Sequence, residues 1–587
     1  MWLIDTQSLS LQEVVSPSAT RYAILSHTWE DDEVSFQDMA TPGAASKKAG
    51  WAKIAKTCEL ARARGLTHAW VDTCCIDKSS SAELSEAINS MFQWYEASAV
   101  CFVWLADLAP VEGQSPVTGL DRSPNPEVVG KCKWFTRGWT LQELIAPRTV
   151  EFYNSNWNLF GDKSSLAWML ARTTRINLAV LASSARLQST PVAVKMSWAA
   201  RRKTKRVEDR AYSLLGIFNI NMPMIYGEGN KAFRRLQEEI AKETNDLSLF
   251  AWKSPVNQDS STTGPQAFRG IFADSPDEFA NCSEMHRSSS DRSAQREFSL
   301  TNRGVRIETK LFHDMLGGYV MYLGFVDASR QAGVASQDVC VSLVRTANGF
   351  VRCEPWSVEH EQTLLGSDAA QSAATIYVRK NVSLQEAAEI QRRRHRSFHV
   401  YVDLPASLRV ESVVPHPSHL WDDVYTTFIS STPGSPFAAT LNLVVSGREG
   451  EFESRFPLVL VLGWHKGKRE ALAMLYGDDD GDGDDVPRRA VDRALPKGFP
   501  DLGKDYEDPI LEEVLGRILE RPDFRAEEVR FVERRPGPSG FWYWGLETTY
   551  IATFGARLET GDVGGDVSVF RVFLTGSLSR ADGMEAG

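Results

Sequence analysis

Between residues 22 and 153, short apolar segments alternate with segments of helical periodicity. The segments "YAIL" (22–25), "HAWVD" (68–72) and "AVCFVWLAD" (99–107) have the length of buried strands. Between them lie "WAKIAKTCELARARG" and "SSAELSEAINSMFQWYEAS", whose apolar residues recur at helical spacing. Because parallel neighbouring strands need crossover connections, this alternation predicts an α/β domain with a mainly parallel sheet and helices on both faces.

The stretch "WFTRGWTLQELIAPRTVEFY" (134–153) predicts a short helix followed by a strand. In this helix Glu143 follows Trp139 by one turn, and the surrounding positions are apolar. A carboxylate among large apolar side chains is either a reactive group with a shifted pKa or a structural group in an ion pair. Arg137 and Arg148 flank the helix and are the structural partners to test.

Polar residues follow the predicted strands at the edge where ligands bind in open parallel sheets. Those after the first strand are Ser26, His27, Thr28 and Trp29. Asp72 follows the second strand, and the helix of Glu143 is predicted to reach the same edge. His27 is interpreted as a general acid or base, or as a hydrogen-bonded structural residue. Asp72 either accepts a hydrogen bond from a ligand or caps a turn. Trp139 either lines a pocket or packs in the core.

The eight cysteines show no paired metal-ligand spacing, so reduced thiols and no metal site are expected. Cys74 and Cys75 are interpreted as core residues rather than as nucleophiles. The acidic run "GDDDGDGDD" (477–485) is interpreted as a solvated loop, because Arg489 stands where a calcium loop needs glutamate. The basic run "RRKTKR" (201–206) is interpreted as a solvated helix face, with a nuclear signal or a patch for phosphate as the alternatives.

A chain of 587 residues is too long to fold around one hydrophobic core, so more than one domain is expected. Its net charge of -11 argues against a nucleic-acid partner, and no apolar run is long enough to span a membrane. The N-terminus lacks the features of a secretory signal, so a cytoplasmic location is expected. Composition and periodicity predict four parts: an α/β domain (1–175), a helical extension (176–250), a linker or irregular segment (251–295) and a β-rich accessory domain (296–587).

Three segments resemble the blocks of the HET (heterokaryon incompatibility) domain of filamentous fungi: "YAILSHTW", "WVDTCCIDK…INSMFQWYEAS" and "RGWTLQEL". The later segment "EDRAYSLLGIFNINMPMIYGEGNKAFRRLQEEI" also resembles that family, so the resemblance covers roughly residues 1–250. It implies a fungal protein of non-self recognition and programmed cell death.

HET domains in turn distantly resemble TIR domains, which have a flavodoxin-like fold. The corresponding features are "AILS", Asp72, the helix at 82–97 and "WTLQEL", with Thr140 where TIR domains often have cysteine. In enzymatic TIR domains the glutamate of the last motif cleaves the nicotinamide–ribose bond of NAD, and Glu143 occupies its position. The resemblance therefore implies NAD as a substrate, with no separate cofactor. Ser26, His27 and Thr28 would hold its pyrophosphate or ribose hydroxyls, and Trp139 would supply an apolar wall.

Two other functions stay open from the sequence. One is a non-enzymatic signalling module that acts through self-association or through a protein partner of the β-rich domain. The other is an enzyme that cleaves another nucleoside N-glycosidic bond with the same glutamate. Both enzyme hypotheses need a pocket beside Glu143, whereas the signalling hypothesis predicts Glu143 in a buried salt bridge.

Overall fold

The structure is a computed structural model. It describes residues 1–15, 19–110, 125–255, 266–288, 297–313, 319–328, 337–346, 348–356, 359–360, 372–394, 397–416, 418–423, 426–429, 437–449, 452–464, 471–477, 529–536, 547–562 and 568–581. The acidic run after Gly477 and Arg489 lie outside the described residues.

A seven-stranded mixed sheet organises the N-terminal region. Its strands are β1 (Trp2–Asp5), β2 (Leu11–Glu13), β3 (Tyr22–His27), β4 (His68–Trp70), β5 (Val100–Trp104), β6 (Val150–Tyr153) and β7 (Leu159–Asp162), in the order β2-β1-β4-β3-β5-β6-β7. The central strands β4, β3, β5 and β6 are parallel, whereas β1, β2 and β7 pair antiparallel. The α/β prediction is confirmed, but the sheet is mixed because antiparallel strands complete both edges.

Twelve helices in the described residues up to position 255 accompany this sheet. They are α1 (Phe36–Ala40), α2 (Trp51–Ala63), α3 (Ser81–Ala97), α4 (Pro126–Val129), α5 (Lys133–Thr136), α6 (Thr140–Ile145), α7 (Ala167–Thr174), α8 (Leu178–Ala182), α9 (Val192–Ala199), α10 (Asp209–Tyr212), α11 (Leu215–Phe218) and α12 (Lys231–Glu243). Short 3-10 helices cover Ala45–Lys47, Ser184–Ser189 and Leu247–Phe250. None of the described helices is long and apolar enough to cross a membrane.

Helix α3 shows how local sequence sets an element of this region. The Ser80 side chain accepts a hydrogen bond from the Glu83 N–H at 3.3 Å and caps the helix N-terminus. The buried residues recur at helical spacing and include Ile88, Phe92 and Tyr95. This stripe brings the Tyr95 hydroxyl back to β3, where it donates to the Leu25 carbonyl at 3.1 Å.

The remaining described residues are rich in strands, which confirms the β-rich prediction for the C-terminal half. The elements are β8 (Phe268–Arg269), a 3-10 helix (Pro276–Phe279), β9 (Met285–Arg287), β10 (Phe298–Thr301), β11 (Gly304–His313), β12 (Tyr319–Asp327), β13 (Gln337–Thr346), β14 (Gly349–Cys353), β15 (Glu359–His360), β16 (Ser372–Val378), α13 (Leu384–Arg394), β17 (Ser397–Asp403), β18 (Leu408–His416), a 3-10 helix (Ser418–Leu420), β19 (Trp421–Asp422), β20 (Thr427–Ile429), β21 (Phe437–Glu449), β22 (Phe452–Trp464), β23 (Ala471–Gly477), β24 (Val529–Pro536), β25 (Glu547–Asp562) and β26 (Ser568–Ala581).

The described residues divide into two compact units. The first comprises the N-terminal sheet and its helices together with most of the strands up to β16. The second contains two sheets, one in the order β19-β20-β17-β26-β25-β24 and the other in the order β18-β21-β22-β23. Its core includes Phe398, Phe456, Leu460 and Phe554. Pairing there is antiparallel except between β17 and β26. The four-part domain division drawn from composition stays a prediction.

Candidate active site

Glu143 lies on α6, a short helix whose side chains are all buried. The Thr140 hydroxyl anchors the first turn by hydrogen bonds to the carbonyls of Trp134 at 2.6 Å and Arg137 at 3.0 Å. The helix ends at Ile145, and Pro147 cannot continue it. The Glu143 side chain is thereby held in the interior, with 7% of the residue exposed.

Side chains from other elements interact with the Glu143 carboxyl group directly or through a neighbour. Ser26, near the carboxyl end of β3, donates its hydroxyl to Glu143 Oε2. The indole N–H of Trp134, on α5, donates to Ser26 Oγ at 2.7 Å. The Tyr95 hydroxyl, which donates to the Leu25 carbonyl, acts to lower the pKa of Glu143. We refer to Ser26, Tyr95, Trp134 and Glu143 as the Glu143 cluster.

The interior position changes the acidity of Glu143. Burial raises its pKa to about 8, because it disfavours the charged form, and the negative charge of Asp72 acts in the same direction. The hydrogen bond from Ser26 and the charge of Arg137 lower the pKa to a smaller extent. Glu143 is therefore mostly protonated at neutral pH, and a nearby positive charge would shift it towards the carboxylate.

Glu143 forms no ion pair within 4.0 Å among the described residues, so neither Arg137 nor Arg148 is the structural partner considered from the sequence. Arg202 is a second cation that interacts with Glu143 through its charge; it is buried and donates hydrogen bonds to the Trp198 carbonyl and the Thr140 hydroxyl at 3.0 and 3.1 Å. Burial lowers the pKa of Arg202 to about 10, and the charge of Glu143 opposes that shift.

A second group of side chains surrounds Asp72, beyond the end of β4. His27 Nε2 lies 3.0 Å from Asp72 Oδ1, and the Trp29 indole N–H donates to Asp72 Oδ2 at 2.8 Å. Burial acts to raise the pKa of Asp72, but the hydrogen bonds from His27 and Trp29 and the charge of Lys78 outweigh it and lower the pKa to about 2. We refer to His27, Trp29 and Asp72 as the Asp72 cluster.

Both ring nitrogens of His27 are engaged within the fold. Its Nδ1 lies 3.0 Å from the Lys53 ammonium group, which also pairs with Glu33. Since an ammonium group can only donate, Nδ1 accepts, and Nε2 carries the proton that faces Asp72. The Thr28 carbonyl lies 3.1 Å from the same Nδ1. This arrangement favours the structural interpretation of His27 over a role as general acid or base.

The structure thus separates the residues singled out from the sequence. Ser26 contacts Glu143, whereas His27, Trp29 and Asp72 form a group of their own. Trp139 immediately precedes α6, is half-buried and acts to lower the pKa of the Asp209 carboxyl group. The indole that reaches the Glu143 cluster is that of Trp134, so the role of Trp139 as the apolar wall stays a prediction.

The basic run 201–206 is not a helix face, which corrects the interpretation made from its charge pattern. It lies between α9 and α10, and the Gly138 N–H donates to the Lys203 carbonyl at 2.9 Å. A Cβ atom at Gly138 would stand 2.6 Å from Thr204 Cγ2, so glycine allows this close approach. The basic run therefore packs against the turn before α6.

All eight cysteines are buried as thiols. A hydrogen bond with Cys75 and burial raise the pKa of Cys74, which disfavours the thiolate that a nucleophile needs. No group of His, Cys, Asp and Glu side chains suited to a metal ion occurs among the residues that the structure describes.

Two family models match parts of the chain. The model described as heterokaryon incompatibility protein (HET) matches residues 22–128, and a domain of unknown function (DUF8212) matches residues 231–312. The first match includes Ser26 and Asp72 and ends before Glu143. No solved structure matches the chain.

A curated protein also resembles the chain. The "Vegetative incompatibility protein HET-E-1" of Podospora anserina is 47% identical over 231 residues. The match covers 39% of this chain and 16% of that protein, so the chain spans about a sixth of the length of this relative.

Proposed function

Because this chain is a HET-domain protein, we propose that it acts in heterokaryon incompatibility as a cell-death effector. Its N-terminal domain would trigger death by cleaving the nicotinamide–ribose bond of NAD, with Glu143 as the catalytic residue. The name of the relative from Podospora anserina supports the biological role. We place this activity in the cytoplasm, with self-association or a protein partner of the β-rich half as the trigger.

The observation that carries the enzymatic proposal is the buried Glu143 carboxyl group, held by Ser26 near the carboxyl end of a parallel strand. Cleavage of an N-glycosidic bond develops positive charge on the ribose, and a carboxylate stabilises that charge or traps it covalently. In an enclosed site the field of the carboxylate is weakly screened by water. Burial of Glu143 therefore supports this chemistry.

The raised pKa of Glu143 fits a substrate with a cationic leaving group. The nicotinamide ring of NAD carries a positive charge, and a positive charge nearby favours the carboxylate. Substrate binding would then generate the anion that the reaction needs. Without substrate, the site would keep Glu143 mostly neutral, because burial raises its pKa to about 8.

The strand order supports the TIR/flavodoxin-like part of the proposal. Counted along the chain, the parallel strands β4, β3, β5 and β6 follow the order second, first, third and fourth. This is the beginning of the flavodoxin-like order, in which ligands bind where the first and third strands diverge. Ser26 lies on the first of these strands, β3, which adjoins the third, β5.

The enclosure of Glu143 also favours a second candidate function, a non-enzymatic signalling module, although the buried salt bridge predicted for that function is absent from the described residues. A mostly protonated carboxyl group with 7% exposure can simply be a structural hydrogen-bond partner of Ser26. In that case self-association of the HET domain, rather than chemistry, would trigger death. Cleavage of another nucleoside would share the site of the first proposal but not its substrate.

The test is nicotinamide release from NAD by the concentrated full chain. Three proteins are compared: wild type, Glu143→Gln and Glu239→Gln. Glu239 is a matched control, because its exposed pair with Lys242 contributes little to the fold. We expect release by the wild type and Glu239→Gln, and at least about 100-fold less by Glu143→Gln. Circular dichroism verifies that all three proteins are folded.

Equal release by wild type and Glu143→Gln would remove Glu143 from the mechanism. If the chain releases no nicotinamide even when a fused dimerisation domain forces self-association, the signalling module becomes the better account. Release of a base from another nucleoside, but not from NAD, would retain the site and change the substrate.

A further inference from the structure

Two lysines from distant parts of the chain meet at one exposed tryptophan. The Lys78 ammonium group lies 3.8 Å from the centroid of the Trp29 ring, and that of Lys205 lies 5.6 Å from it. Lys78 follows β4, whereas Lys205 belongs to the basic run before α10. Trp29 is 36% exposed, so ligands in solvent can reach this group.

Neither ammonium group has a carboxylate within 4.0 Å in the described part of the chain. Lys53, at the same edge of the sheet, is different because it pairs with Glu33. A cation–π contact at an exposed site contributes only about 0.5–1 kcal/mol. Two unpaired cations at one ring therefore leave a local positive charge that an anion could neutralise.

Asp72 fixes the position of the Trp29 ring, which both lysines contact. Its carboxylate accepts the Trp29 indole N–H and faces His27, so both of its oxygens are engaged. It supplies one negative charge against two ammonium groups. His27 directly follows Ser26, the residue that donates to Glu143. The charge of Asp72 also raises the pKa of Glu143, so the group around Trp29 and the Glu143 cluster lie within electrostatic reach of each other.

We propose that Lys78 and Lys205 bind the phosphate groups of a nucleotide whose sugar lies at Glu143, and that Trp29 positions both ammonium groups. Lysine suits this task, because its ammonium group binds phosphate as a compact point charge. The proposal deepens the function proposed above, on which it rests, by restricting the substrate to phosphorylated N-glycosides. Free nucleosides lack the group that the lysines bind.

The test is calorimetric binding of ADP-ribose and inorganic pyrophosphate to the full chain. ADP-ribose carries the diphosphate of NAD but has no nicotinamide bond to cleave, so binding is measured apart from catalysis. The double variant Lys78→Gln/Lys205→Gln is expected to bind both probes at least about tenfold more weakly, because two charge-assisted contacts are lost. Adenosine, which has no phosphate, is expected to bind weakly and equally to wild type and variant.

Matched variants distinguish a specific site from general charge. Lys56→Gln/Lys242→Gln removes two lysines that already pair with Glu59 and Glu239, and it should leave binding unchanged. Lys78→Arg/Lys205→Arg should restore most of the affinity. Trp29→Leu removes the platform, and it should weaken ADP-ribose binding and flatten its dependence on salt concentration.

Unchanged ADP-ribose affinity in Lys78→Gln/Lys205→Gln would overturn the proposal, as would the absence of ADP-ribose binding by the wild type. Glu143→Gln distinguishes failure of the phosphate site from failure of the NAD cleavage proposed above. If Glu143→Gln binds pyrophosphate normally while no protein releases nicotinamide, the phosphate site stands and NAD cleavage fails. If nicotinamide is released but the lysine variants bind and react normally, only the phosphate site is refuted.

Discussion

The Glu143 cluster and the Asp72 cluster lie around neighbouring strands of one sheet, yet the pKa values of their carboxyl groups are shifted in opposite directions. Glu143 receives a hydrogen bond from Ser26, but burial prevails and raises its pKa to about 8. Burial also acts on Asp72, but His27 and Trp29 supply donors, and its pKa falls to about 2. The balance between burial and donors, rather than the residue type, decides the charge at neutral pH.

This difference assigns different tasks to the two acids. Asp72 stays ionised and can orient His27 and Trp29 at any physiological pH. The pKa of Glu143 lies close to neutral pH, so a bound ligand can change its protonation. This property suits a group that takes part in chemistry. Paired carboxyl groups with separated pKa values are a pattern of active sites.

The largest expected effect is the pH dependence of Glu143→Gln. Between the ordinary pKa of 4.5 and the folded value of about 8, the folded protein binds more protons than the unfolded chain. The wild type therefore loses stability as pH rises through this window, by up to about 5 kcal/mol in total. Glutamine cannot ionise, so urea unfolding should show Glu143→Gln gaining stability relative to wild type between pH 5 and pH 9. A constant difference across this range would contradict the raised pKa.

The second-largest effect is expected from the two tryptophans that donate to the clusters. Their substitution by alanine should lower the free energy of unfolding by different amounts. Trp134 is fully buried and contacts Phe135 and Phe152 edge-on, so Trp134→Ala should cost about 3–5 kcal/mol of unfolding free energy. Trp29 is 36% exposed, and Trp29→Ala should cost about 1 kcal/mol. Denaturant unfolding of both variants compares them directly. Equal losses would mean that the Asp72 cluster is as tightly packed as the Glu143 cluster.

Asp72→Asn should show a pH dependence of the opposite sign. Because the folded pKa of Asp72 is lowered from 3.8 to about 2, its charge contributes about 2 kcal/mol of stability above pH 4. That contribution is lost as pH falls through 2, so the deficit of Asp72→Asn should shrink between pH 5 and pH 2.5. The same variant should lower the pKa of Glu143, because the charge of Asp72 raises it. A deficit independent of pH would show that Asp72 is not held as an anion.

The smallest expected effect is that of Ser26→Ala. The variant removes the donor that lowers the pKa of Glu143, so this pKa should rise further. It also leaves the Trp134 indole N–H without its acceptor, at a cost of about 1 kcal/mol or slightly more. Repeating the unfolding series of Glu143→Gln in the Ser26→Ala background measures both effects. A lower pKa of Glu143 in this background would mean that Ser26 does not stabilise the carboxylate.

Much of the central sheet could be predicted from local sequence. Apolar runs of strand length marked β3, β4 and β5, and the pair Ser80 and Glu83 marked the start of α3. The edge strands β2 and β7 were not predicted, because their side chains are mostly exposed and carry no apolar run. Ser26, predicted to follow the first strand, lies within β3 and donates to Glu143.

The rest of the site depends on contacts that local patterns do not encode. Trp134 reaches Ser26 across 108 positions of the chain. Its neighbour in the motif, Trp139, precedes the helix instead of lying within it and acts on the pKa of Asp209 rather than on that of Glu143. Lys205 lies in a run that charge alone assigned to a solvated helix face. Periodicity finds the elements that carry these residues, but tertiary packing selects which side chains meet.

The most direct test of the account is the pH profile of kcat/KM for nicotinamide release from NAD. This quantity reports ionisations of the free enzyme, so a rate that depends on the Glu143 carboxylate should rise with pH to half its plateau near pH 8. Glu143→Gln should lack this limb, and Glu239→Gln should retain it. A profile that is flat from pH 6 to pH 9, or the same limb in Glu143→Gln, would contradict the assignment of Glu143 as the reactive carboxyl group.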